Sequence, residues 1–66
     1  MLNEDLSLES QIKIYTARAN ESYNRAMAAR LCGDFKTAEF HMARYLVHSN
    51  YVSSLTRKLM EEEERG

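Results

Sequence analysis

Cys32-Gly33-Asp34 is the single interruption in a chain that otherwise reads as two long helices. Glycine accepts the left-handed backbone that closes a helix, and aspartate is a strong N-cap for the next one. A connection this short leaves the second helix to return antiparallel along the first. The sequence therefore predicts an all-α fold, an antiparallel two-helix hairpin over about residues 7–32 and 35–62, with Gly33 and Asp34 at the turn. No proline and no Ser/Gly-rich linker divides it, so residues 1–66 read as one domain with frayed ends at about 1–5 and 63–66.

Asn3 or Ser7 is placed to cap the first helix, with Glu4, Asp5 and Glu9 near its positive end. Ala17, Ala19, Ala26, Ala28 and Ala29 raise helix propensity. In the second helix Arg57–Glu61 and Lys58–Glu62 are four apart and can pair, although the charge order is the weaker one. The Glu61–Glu64 run sits badly at a negative helix end, hence the expected fraying.

At 100° per residue, Leu8, Ile12, Tyr15, Ala19, Tyr23 and Ala26 form one stripe on the first helix. Phe35, Ala38, Met42, Tyr45, Val52 and Leu59 form the facing stripe on the second. Small residues at Ala19, Ser22, Ala26 and Ala29 allow close approach near the turn, with Phe35 and Met42 filling from across. Arg30 points toward the stripe and is expected to extend its charged end past the turn into water.

A second apolar group follows. Phe40, Val47 and Tyr51 fall opposite the seam with Ala43 beside them, while Ile14, Ala17, Ala28 and Cys32 point away from it on the first helix. A helix that is apolar on two sides is usually covered on two sides. With two helices in the chain, that second cover must come from another molecule. Phe40, Ala43, Val47, Tyr51, Ile14 and Ala28 are accordingly the expected partner interface. Tyr51 adds an amphipathic ring of the kind favoured at interfaces, whereas Tyr15, Tyr23 and Tyr45 read as core.

Size points the same way. A chain of 66 residues buries only about 60% of its unfolded surface and is usually supplemented by disulfides, a metal or association. Cys32 is the only cysteine, so an intrachain disulfide and a multi-cysteine zinc site are excluded, and the lone thiol fits a reducing compartment. The acidic start does not resemble a signal peptide, and no apolar run reaches the roughly 20 residues of a membrane span. The expected location is cytoplasmic.

Chemistry-bearing residues do not converge. His41 and His48 are seven apart, too far to share one ion, and are expected to flank the seam. Cys32 lacks the pocket and orienting partner that a nucleophile needs. The only glycines, Gly33 and Gly66, cannot form a phosphate loop. No catalytic residue, metal ligand or cofactor is expected. The formal net charge is −1, although six basic residues between Arg25 and Lys58 face only Asp34 and Glu39. A nucleic-acid-binding hairpin using Arg25, Arg30, Lys36 and Arg44 therefore ranks below two protein-binding readings.

The segment from Gly33 through Glu39 to Tyr45-Leu46 resembles the second half of a tetratricopeptide repeat, where a Gly-Asp-aromatic turn precedes a small packed residue. The helices are about twice the length such repeats use and nothing recurs, so an array is not expected. As a whole, the short chain with two long antiparallel helices and a Gly-Asp turn resembles the small E-type co-chaperones of bacterial type III secretion, the YscE/EscE family. That resemblance implies pairing with a tetratricopeptide-like chaperone to hold a needle subunit soluble before export. The alternative is a homodimeric four-helix bundle, structural or regulatory, in which two hairpins cover each other.

Overall fold

The computed structural model describes residues 6–65. They form two α-helices, α1 (Leu8–Leu31) and α2 (Phe35–Arg65), packed along each other as an antiparallel hairpin. Asn3, and the expected fraying of residues 1–5 and of Gly66, lie outside the described residues. Ser7 is the cap of α1: its Oγ accepts the Ser10 N–H at 3.1 Å. Gln11 ties the entry further, donating its backbone N–H to the Ser7 carbonyl and its side-chain amide to the Leu6 carbonyl, each at 3.0 Å.

The turn is a full Schellman closure. Gly33 has φ +80°, the Gly33 N–H donates to the Arg30 carbonyl at 3.0 Å, and the Asp34 N–H donates to the Ala29 carbonyl at 2.9 Å. Asp34 then opens α2, its Oδ1 accepting the Thr37 N–H at 3.2 Å. One residue thus ends one helix and begins the next.

The seam follows a heptad rhythm on both helices. On α1, Leu8, Ile12, Tyr15, Ala19, Ser22, Ala26 and Ala29 recur at alternating steps of four and three. On α2 the same spacing runs through Ala38, His41, Tyr45, His48, Val52, Leu55 and Leu59. Ala19, Ser22, Ala26, Ala38 and Leu55 are buried, and Ala26 is fully sealed. Alanine and serine here let the backbones close together. The cost is a core with little apolar volume: among the described residues Leu55 is the only large buried side chain, and none is completely enclosed.

Three expectations need correction. Phe35 is exposed: as the first residue of α2 it stands at the end of the seam, beside Arg30, Ala38, Glu39 and Met42. Tyr23 is half-exposed on the seam edge, its ring tilted against Tyr45 with centroids 5.3 Å apart. Finally, α2 continues to Arg65, three residues past the expected end, so residues 63–65 are helical. A basic residue in the last turn offsets the glutamate run against the helix dipole. Among the described residues the ion pair formed is Glu21–Arg25, in the order Glu before Arg that favours it, whereas Arg57–Glu61 and Lys58–Glu62 make none.

The hairpin measures 49 × 23 × 13 Å. Its thinnest dimension is about one helix with side chains, so every residue off the seam meets solvent.

Candidate functional site

The flank of α2 that turns away from the seam carries Phe40, Ala43 and Val47, all exposed; Phe40 is 58% and Val47 65% accessible. Phe40 is held by its neighbours. The His41 ring meets it edge-on at 5.3 Å, and the Arg44 guanidinium lies over it at 5.7 Å. A fixed aromatic ring loses less freedom on docking than a mobile one.

Tyr51 differs from the sequence expectation. It is 39% exposed and packs edge-to-face on Tyr15 of α1, ring centroids 4.7 Å apart. It therefore belongs to the edge of the seam, not to a face opposite it. The reason is length: a tyrosine one turn before Leu55, at the seam edge, is long enough to reach the Tyr15 ring. Ile14 and Ala28 are exposed on α1, as expected. By helical spacing Ile14 lies one turn before Arg18, and Ala28 one turn after Arg25, on the flank that faces His41, Arg44 and His48. The surface is thus mixed, with apolar groups on either side of a charged middle.

The remaining candidates are placed as follows. His41 and His48 sit in the seam itself, half-buried, with Tyr15 6.2 Å from the His48 ring. The His48 Nδ1 is buried without a hydrogen-bond partner. Cys32 is a free, exposed thiol at the end of α1. Arg25 is engaged by Glu21 and Arg44 by Phe40, while Arg30 and Lys36 are exposed near the turn. Asp34 has its carboxyl held below the ordinary value of 3.8 by the Thr37 side chain and, second, the Thr37 backbone N–H. Among the described residues no group of three or more His, Cys, Asp or Glu could hold a metal ion, and no helix is long and apolar enough to cross a membrane.

Sequence reasoning missed Leu31, Leu46 and Met60, large apolar side chains that stand exposed. Leu31 lies beyond the last packed turn of α1, and Met60 lines an open cleft with Val52, Thr56 and Glu64. Leu31 and Met60 stand apart from both stripes, whereas Leu46, three residues after Ala43, borders the outward group. The chain matches no family model, no curated protein and no solved structure.

Proposed function

We propose that this hairpin is a protein-binding module, a cytoplasmic type III secretion co-chaperone that pairs with a tetratricopeptide-like chaperone and so keeps a needle subunit soluble. The observation that carries the binding role is the exposed apolar flank of α2, where Phe40, Ala43 and Val47 stand in solvent and Phe40 is held by the His41 ring and the Arg44 guanidinium. These three side chains supply an apolar centre for a partner contact. The assignment to secretion rests on the resemblance in size and hairpin form, not on a residue motif. In that role the partner's burial of the outer flank would stabilise the hairpin by mass action.

The test is co-expression with a tetratricopeptide-like chaperone and a needle subunit encoded beside this chain. The expected result is a soluble complex that Phe40→Asp and Val47→Asp disrupt, with the isolated chain's helicity unchanged. Complex formation that survives both substitutions would overturn the interface. No complex with either protein would overturn the secretion role.

One feature favours a second reading, a homodimeric four-helix bundle. Phe40, Ala43 and Val47 are spaced by three and four, as in a coiled-coil seam, so a second copy could cover them. Sedimentation of the purified chain decides: a stable dimer at micromolar concentration supports this reading over the first.

A further inference from the structure

Between the apolar groups the two helices flank an open polar cleft of about 220 Å³. Arg18, Ser22 and Arg25 line it from α1, and His41, Arg44 and His48 from α2. We infer that this cleft is a binding site for a single phosphate-type oxyanion. Three guanidiniums face one carboxylate, that of Glu21, which pairs with Arg25. Arg18 and Arg44 have no carboxylate partner among the described residues; each rests on an aromatic ring, Arg18 over Tyr15 at 5.1 Å and Arg44 over Phe40 at 5.7 Å. The rings fix the guanidiniums in place while leaving their N–H donors unspent.

The floor of the cleft is polar as well. Ser22 is 6% exposed and lines the cleft with its hydroxyl. The buried Nδ1 of His48 is unpartnered. A seam built only for packing would place an apolar side chain at the His48 position, because an unsatisfied buried polar atom costs stability. Donors that converge from two helices suit a tetrahedral anion better than a planar one, which a single arginine can grip by itself. The anion must compete with Glu21 for Arg25, so Glu21 sets the affinity from inside the site. This inference stands independently of the partner assignment above.

The experiment is a titration of the full-length chain with inorganic phosphate, followed by NMR, against sodium chloride and acetate at matched ionic strength. Expected are saturable shifts confined to Arg18, Ser22, Arg25, His41, Arg44 and His48. Arg18→Gln and Arg44→Gln should each weaken binding about tenfold, the loss of a charge-assisted hydrogen bond. Glu21→Gln should strengthen it, and Arg57→Gln, outside the cleft, should leave it unchanged. Circular dichroism checks that each variant keeps its helicity. Should the isolated chain be only partly helical, phosphate should raise helicity where chloride does not, because it binds the folded form. Phosphoserine is a further arm: tighter binding than inorganic phosphate assigns the site to a phosphorylated side chain, and equal or weaker binding to free phosphate. Shifts that match chloride or acetate, or that survive the Arg18 and Arg44 substitutions, would overturn the site.

Discussion

Tyr15 of α1 and Tyr51 of α2 meet edge-to-face, ring centroids 4.7 Å apart, on the rim of the seam beside His48. The pair joins the helices in their open half, away from the turn, where α1 offers Leu8 and Ile12 and neither is fully buried. It gives Tyr51 a structural role at the seam edge while the ring stays part exposed beside Val47.

Tyr51→Ala should therefore lower the stability of the isolated hairpin, by about 0.5–1.5 kcal/mol for the ring pair alone. Phe40→Ala should leave that stability nearly unchanged. Thermal unfolding followed by circular dichroism compares the two, and equal effects would contradict the pairing.

Seam substitutions should divide by volume. Leu55→Ala removes the one large buried side chain among the described residues and should cost about 2–5 kcal/mol, enough to unfold most of the free chain. Ala26→Leu changes volume the other way and should also destabilise, by about 1–3 kcal/mol, because a fully sealed alanine leaves no room for added carbons. Urea denaturation measures both, and a stabilising Ala26→Leu would show that the helices are not closely approached there.

Gly33→Ala isolates backbone strain. A Cβ at Gly33 would meet nothing within 4 Å, so no clash accompanies the substitution. With φ at +80°, the cost should be about 1–2 kcal/mol from the left-handed conformation alone. Gly33→Asn should recover part of it, since asparagine tolerates that region better. The readout is the midpoint of urea unfolding.

The Asp34 cap predicts a pH dependence of defined sign. Its carboxyl titrates below the ordinary 3.8 in the folded chain, so the folded state favours the charged form. The contribution is complete above the unfolded value and is lost as pH falls through the lower folded one. Helicity of the wild-type chain should thus decline more steeply below about pH 4 than that of Asp34→Asn, which keeps an acceptor but cannot titrate. Parallel acid titrations by circular dichroism would show superimposable curves if the cap contributed nothing.

The hairpin was legible because its signals are local. Gly33 and Asp34 specify the turn, and the alanine spacing in α1 specifies the seam. The outward position of Phe40, Ala43 and Val47 follows from helical period alone. Tyr51 did not, because a long side chain near the seam edge reaches its neighbour whatever its nominal angle. Leu55 was passed over because Tyr45, Val52 and Leu59 already gave a seven-residue rhythm; it occupies the intermediate position, as do His41 and His48. The polar cleft was hidden for a different reason. Arg18 and Arg44 are remote in sequence, and only the pairing of the two helices brings them to one side.

The shared residue at the bend makes the linker a phase-setting device. Asp34 both completes the closure of α1 and caps α2, so the joint has no slack residue. Inserting one amino acid there would rotate the returning rod by about 100°. Phe40 and Val47 would swing toward α1, and Ala38 and Leu55 outward. The identity of the outer surface is therefore encoded in the length of the joint as much as in the residues displayed on it.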